Sequence, residues 1–305
     1  MRTNSIQREG WIYTAFSLPV IIYLLLFRLL PFLGNSIAFM DFKILKGFFD
    51  SDFIGLENFK RLFQSNVFWT ALINTIRLNL LDLLIGFPFT VFLSLVLVQI
   101  SVKHQHIFQT VLYIPYFISW AALGGIVVQM LSPSIGIVGA VGKLLSINYS
   151  DLPLLMGEES GWVIVYVLTG IWQYAGWGTI IYVSYIRNIS KSIYESASLD
   201  GATSFQQIIH ITLPIIKPMV LIMLLLKLSG ILSTSFEQVY ALSNPMVLGV
   251  SDVLSTYEYR AGLQSMQFSY ATAIGLVESA IGFIVVLLSR FLISKVDGEQ
   301  VENEQ

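Results

Sequence analysis

The sequence predicts an all-α polytopic membrane protein with six transmembrane helices, and three observations carry that prediction. Hydrophobic residues make up 55% of the 305 residues. Charged residues make up 12%, about half the ~25% usual in a soluble domain, so too little polar side chain exists to clothe a water-facing surface. Six segments hold the roughly 20 mainly apolar residues that ~30 Å of hydrocarbon demands of a helix rising ~1.5 Å per residue. The 17 Lys+Arg and 19 Asp+Glu form no basic stripe long enough to follow a phosphate backbone, which excludes nucleic-acid binding. The absence of cysteine excludes disulfides, thiolate metal sites and a Cys nucleophile.

In chain order, residues 1–10 read as a tail and residues 11–33 as the first span. That span is too long for a secretory signal and lacks its small-residue cleavage site, so it reads as a retained anchor. An outer loop, residues 34–70, follows. In it Leu56, Phe59, Leu62 and Phe63 recur at helical spacing and predict an amphipathic helix lying on the membrane interface. Residues 71–293 form the core, with further spans at about 77–99, 107–131, 161–186, 215–236 and 269–293; residues 294–305 are an acidic tail. With the N-terminus inside, eight Lys/Arg fall on the cytoplasmic side (Arg2, Arg8, Lys103, Arg187, Lys191, Lys217, Arg290, Lys295) and six outside (Lys43, Lys46, Lys60, Arg61, Lys143, Arg260). Arg2 and Arg8 flank the first span, which usually dominates orientation, so both termini are expected in the cytoplasm.

Charges within spans are costly and normally paired. On these boundaries Lys227 falls near mid-depth of span five, Glu278 lies well inside span six and Asp82 nearer the edge of span two. Depth makes Glu278 the expected partner of Lys227, either as a substrate or gating contact or as an ion pair that fixes helix register. Arg28 and Arg77 are expected near outer ends, where they snorkel. His104, His106 and His210 lack a third ligand nearby, so no metal is assigned.

The one ordered polar stretch on the cytoplasmic side is Arg187 to Pro214. Ser192 with Glu195 and Ser204 with Gln207 have capping-box spacing and mark two short helices. Gly201 stands between them as a left-handed turn, and Pro214 is expected to end the second. Small Ser196, Ala197, Ser198, Gly201 and Ala202 beside Tyr194, Leu199 and Phe205 suit a short helix seated in a partner's groove. An ordinary loop helix packed on its own bundle is the other reading of the same residues.

Glu195-Ser196-Ala197, three residues, Gly201, nine residues, then Ile211-Thr212-Leu213-Pro214 resembles the EAA loop of permease subunits from binding-protein-dependent ABC importers, Glu-Ala-Ala-x3-Gly-x9-Ile-x-Leu-Pro. Every spacing agrees, with Ser196 for the first Ala as the departure. Leu199-Asp200-Gly201-Ala202 is similar to the sugar branch of that family. Tyr113 to Trp120, Trp172 to Trp177 and Thr256 to Leu263 resemble the subgroup that imports oligosaccharides or polysaccharide fragments.

The resemblance implies a type I ABC importer permease fold in the inner (plasma) membrane and a heterodimer with a second permease subunit. It also implies ATP-binding subunits docked on the elbow through Tyr194, Glu195, Ser196, Ala197, Leu199, Asp200, Gly201, Ala202 and Phe205, and an extracytoplasmic substrate-binding protein. The chain itself carries no Gly-x4-Gly-Lys-Ser/Thr loop, so no cofactor is expected here and ATP is bound by the partner subunits.

A carbohydrate needs aromatic faces beside hydroxyl-binding side chains. Ser119, Trp120, Trp172, Gln173, Tyr174, Trp177, Glu237, Gln238, Tyr240 and Asn244 supply both and form the expected substrate pathway, although Trp and Tyr also belong to interfacial belts. Tyr257, Tyr259 and Arg260 are candidates to receive the binding protein. A permease for a non-sugar solute is the alternative. A secondary transporter would show inverted repeats, and an intramembrane enzyme a His-Glu-x-x-His or Gly-x-Ser-x-Gly motif; the sequence shows none of these.

Overall fold

The computed structural model describes residues 16–147, 152–232 and 234–302, with side chains to residue 289 except that of Val102. The tail at 1–10 with Arg2 and Arg8, the first residues of span one and the last three residues of the acidic tail lie outside the described residues. The chain forms two compact units, residues 1–65 with 258–277 and residues 66–257 with 278–305.

In the first unit, α1 runs Phe16–Phe39 and none of its apolar stretch is buried within the chain. Such a helix needs lipid or another polypeptide around it. Strands β1 (Met40–Asp41) and β2 (Asp52–Phe53) pair antiparallel. Helix α2 (Glu57–Gln64) is the amphipathic helix read from the sequence. It buries Leu62, and its Asn58 donates to the carbonyls of Ala38 at 2.8 Å and Met40 at 3.2 Å.

The second unit contains α3 (Asn66–Gln99), α4 (Val102–Tyr113), α5 (Trp120–Met130), α6 (Ile137–Leu144), α7 (Glu159–Arg187), α8 (Lys191–Leu199), α9 (Ser204–Ser229) and α10 (Phe236–Leu242). Helices α11 (Leu254–Tyr259) and α12 (Phe268–Glu302) complete the chain. Leu78, Trp120, Trp162, Tyr166, Val239 and Leu242 belong to the main core cluster. Three polar side chains of α3 hold the segment after α9. Asn74 donates to the carbonyls of Gly249 and Asp252 at 2.9 and 3.0 Å, the Thr75 hydroxyl accepts from the Leu254 amide at 2.9 Å, and Asn79 donates to the Thr234 hydroxyl at 2.8 Å.

Several expected spans are redrawn. Among the described residues four helices are long and apolar enough to cross a membrane, α1, α3, α9 and Phe268–Ser289 of α12, with a fifth if a bent pair counts as one span. Helix α7 has 29 residues, about 44 Å, but its Trp, Tyr, Gly and Gln173 dilute its hydropathy. The helix that holds expected span two, 77–99, begins at Asn66, and the helix at expected span five, 215–236, runs Ser204–Ser229. Span three is not one straight helix: it turns by 97° between Phe117 and Trp120. Pro115, lacking an amide hydrogen and clashing with the carbonyl four residues back, converts Ile114–Phe117 to 3-10 helix, and Ser119 is extended at ψ 145°.

Other prolines do not stop their helices. Leu25–Leu29 before Pro31, Asp82–Gly86 before Pro88 and Ile208–Thr212 before Pro214 are π turns, which widen the helix ahead of the proline ring. Pro214 is therefore a point of passage from the elbow into α9, not its end.

Candidate functional site

The elbow is built by local contacts. Helix α8 closes in a Schellman turn: the Ala202 amide donates to the Ala197 carbonyl at 2.9 Å, the Gly201 amide donates to the Ser198 carbonyl at 3.1 Å, and Gly201 takes φ +81°. The chain then restarts at Thr203, whose hydroxyl accepts from the Gln206 amide at 3.4 Å while its own amide donates to Gln206 Oε1 at 2.8 Å. This capping box replaces the expected Ser204–Gln207 box, because the Schellman turn ends at Ala202 and leaves Thr203 extended. The Ser192–Glu195 box does not form either: α8 starts at Lys191 behind Ser190, and Ser192 contacts the Ser190 hydroxyl at 2.8 Å.

Released from capping, Gln207 spans the elbow, donating to the Ser198 hydroxyl at 2.8 Å, and the Tyr194 hydroxyl meets that of Thr212 at 2.9 Å. Leu199 is 90% exposed and Phe205 70%. Glu195, Ser196, Asp200 and Gly201 are also exposed, whereas Tyr194, Ala197 and Ala202 are half-buried. The result is a braced bend with two apolar tips presented outward.

The second site is a cleft in the same unit where α3, α7 and α9 meet. The partner of Lys227 is Asp82, not Glu278. The two expected depths were measured from the wrong helix ends: Asp82 stands halfway along the 34-residue α3, and Lys227 lies in the last turn of α9. The π turn at Asp82–Gly86 places the carboxylate, and Gly86 makes room for it, since a Cβ there would come within 2.3 Å of Asp82 Oδ1. Neither partner is covered by the rest of the chain, with the Lys227 side chain 39% and that of Asp82 41% exposed. They border two adjoining cavities of about 260 and 270 Å³, the first also lined by Thr90, Tyr174 and Trp177 and the second by Asn79. Glu278 is half-buried on α12, and Arg77, expected near a helix end, is exposed in the interior of α3.

The structure sorts the expected pathway residues into two groups. Trp120 and Gln173 are buried and hold the bend between α4 and α5 from either side. Trp120 Nε1 donates to the Tyr174 hydroxyl at 3.0 Å, and Gln173 Nε2 donates to the Ile118 carbonyl at 2.7 Å. Gln238 donates to the Tyr166 carbonyl at 2.8 Å and Asn244 to that of Met156 at 2.6 Å. Ser119 starts α5 with its side chain exposed and uncapped.

By contrast, Trp172, Tyr174, Trp177, Glu237 and Tyr240 are exposed. Trp177 stacks on Tyr116 with ring centroids 4.4 Å apart and planes within 3°, and Phe117 meets its edge. Gly86, Thr90 and Asn79 in the cleft, and Tyr116 beneath Trp177, are site residues that sequence reasoning missed. Tyr257 and Tyr259 lie on α11, and Arg260 begins the π turn Arg260–Gln264. His104 bonds the Ser101 hydroxyl at 2.8 Å and His210 the Gln206 carbonyl at 3.0 Å.

Comparison with known proteins identifies the family of the chain. Residues 65–298 match the family described as binding-protein-dependent transport system inner membrane component. Protein LplB of Bacillus subtilis (strain 168) is 32% identical over 97% of this chain and 92% of its own length. The polygalacturonan/rhamnogalacturonan transport system permease protein YteP of the same organism is 37% identical over 93% of this chain and 88% of its own. A chain in the crystal structure of a bacterial alginate ABC transporter, bound to an alginate pentasaccharide-loaded periplasmic protein, superposes with a TM-score of 0.86 at 34% identity, covering 97% of this chain and 98% of that one. The chain belongs to the binding-protein-dependent inner membrane components. It is a multi-pass membrane permease that works with a substrate-binding protein and partner subunits, and not an enzyme.

Proposed function

From that membership we propose that the chain is one permease of a heterodimer importing carbohydrate oligomers, with the cleft around Asp82, Lys227, Tyr174 and Trp177 on the sugar's path. The observation that carries this reading is the pairing of aromatic faces with a charged pair at one opening. A pyranose C–H face stacks on Trp177 or Tyr174, and its hydroxyls donate to the Asp82 carboxylate and accept from the Lys227 ammonium. Relatives named for polygalacturonan, rhamnogalacturonan and alginate support a sugar over a non-sugar solute.

In this reading ATP is bound and hydrolysed on partner subunits that seat Leu199 and Phe205 in a groove. Their closure carries the elbow through Pro214 directly into α9, at whose far end Lys227 stands. A continuous helix between coupling site and cleft supplies a rigid element with two positions, as alternating access requires. Both termini are then cytoplasmic.

The test is transport and ATPase activity of the reconstituted complex, with its second permease, ATP-binding subunits and binding protein, on a panel of oligosaccharides. Trp177→Ala is expected to lower oligosaccharide uptake about tenfold, the loss of one stacked contact of ~1.4 kcal/mol, while the complex still assembles. Uptake unchanged in Trp177→Ala and in Tyr174→Ala removes the cleft from the path. A complex stimulated by no carbohydrate-loaded binding protein removes the sugar.

A further inference from the structure

A third cavity, of about 220 Å³, lies behind the elbow, between its two helices and the ends of α3 and α7. Its floor is apolar, formed by Leu95, Val98, Ile186 and Ile189 around the small core cluster of Leu95, Ile186 and Ile216. Its rim is cationic: Arg187 and Lys191 line it, both exposed, and among the described residues neither has a carboxylate within salt-bridge distance. Arg187 is steered by a hydrogen bond to Gln105, which uses one of its five donors. Tyr194, Gln207 and Thr212, the residues that brace the elbow, face the same space. Two unneutralised cations over an aliphatic floor match one ligand chemistry, a phosphate carried on an apolar tail.

We infer that this cavity binds the phosphate of an anionic phospholipid of the cytoplasmic leaflet and that the bound lipid stiffens the elbow. The guanidinium of Arg187 and the ammonium of Lys191 donate to the phosphate oxygens, and the first methylenes of an acyl chain cover Leu95, Val98 and Ile186. Because Tyr194 and Thr212 line the cavity and also join the two elbow helices, an occupied cavity holds them together and transmits the movement of a docked ATP-binding subunit with less loss. This inference rests on the elbow being the cytoplasmic coupling site.

The test uses the full complex in nanodiscs of phosphatidylcholine alone or with phosphatidylglycerol, reading ATPase activity stimulated by the binding protein. Stimulation in phosphatidylcholine alone reports the coupling reading independently of the lipid. Phosphatidylglycerol is expected to raise the stimulated rate at least threefold in wild type, and the ratio is expected to fall to about one in the Arg187→Gln/Lys191→Gln double variant. Native mass spectrometry of the purified complex serves as second readout: wild type retains phosphatidylglycerol and the double variant loses it, whatever its activity. A wild-type ratio of one, or a double variant that keeps both its ratio and its bound lipid, overturns the proposal. Inorganic phosphate that reproduces the stimulation in phosphatidylcholine discs overturns the lipid as the source and leaves a soluble anion in its place.

Discussion

The elbow and the cleft are both built from polar and aromatic side chains, but they are held by different kinds of contact. The bonds that fold the elbow on itself, from the Schellman turn at Gly201 to the Tyr194–Thr212 pair, join residues fewer than twenty positions apart. The cleft draws Asp82 from α3, Tyr174 and Trp177 from α7 and Lys227 from α9, so each side chain is placed by packing between distant elements. The elbow can be altered without disturbing the bundle, whereas the cleft shares its walls with the core. That difference predicts which substitutions uncouple the machine and which unfold it.

The largest effect is expected where cleft and core coincide. Trp120 is 2% exposed and donates to Tyr174, so Trp120→Ala opens a cavity at the bend of span three and is expected to cost ~3–5 kcal/mol. Thermal unfolding of the purified complex checks this, with Trp177→Ala as the control that lowers transport and barely moves the midpoint. Equal loss of stability in the two would erase the division of pathway residues into buried braces and open faces.

Next comes Gly201. Its φ of +81° costs a side chain ~1–2 kcal/mol, while open space surrounds the position where its Cβ would stand. Gly201→Asp is expected to reduce co-purified ATP-binding subunit and stimulated ATPase by about tenfold, with bundle stability unchanged. Gly201→Asn, which tolerates the left-handed region better, is expected to retain more of both. A fold-wide loss of stability in Gly201→Asp would show that the elbow is part of the core.

These contrasts follow what the sequence discloses. The elbow was legible because fixed spacing encodes near contacts: Gly201 and the order of two short helices could be read directly. Its first cap was misplaced by two residues, Ser190 for Ser192, and its second by one, since Thr203 and Gln206 compete with Ser204 and Gln207 and only the extended backbone at Thr203 decides. The helical, membrane-spanning class was legible from composition. Span limits were not, because Pro31, Pro88 and Pro214 are absorbed by π turns while Pro115 breaks its helix, and no local signal separates the two outcomes. The cleft pairing failed for the same reason. Depth counted from wrong ends favoured Glu278, and the π turn that turns Asp82 toward Lys227 carries no sequence signature.

A smaller effect tests that pairing. Both side chains are about 40% exposed in the chain and line an open cleft, and in a water-filled cleft such a pair contributes roughly 1 kcal/mol or less. Lys227→Met is expected to lower the thermal midpoint by a few degrees, and adding Asp82→Asn to recover part of the loss, giving a coupling energy of ~0.5–1 kcal/mol in a double-mutant cycle. The same cycle run with Glu278→Gln is expected to show none. Coupling to Glu278 and not to Asp82 would restore the pairing that depth alone suggested and dissolve the charged wall of the cleft.

The smallest effect on stability lies in the brace of the elbow. The Tyr194 hydroxyl, 2.9 Å from that of Thr212, closes the bend at its base. A hydrogen bond of this kind contributes a net ~0.5–1.5 kcal/mol. Tyr194→Phe keeps the ring and removes only the hydroxyl, so the bundle is expected to melt as before and the ATP-binding subunit to co-purify. What changes is the stiffness between docking tips and α9: ATP hydrolysis continues while oligosaccharide moved per ATP falls severalfold. Thr212→Val removes the other hydroxyl and is expected to give the same phenotype, with no further loss in the double variant. If Tyr194→Phe instead releases the ATP-binding subunit, the hydroxyl belongs to the docking surface, and the braced bend with two exposed apolar tips is the wrong division of the elbow.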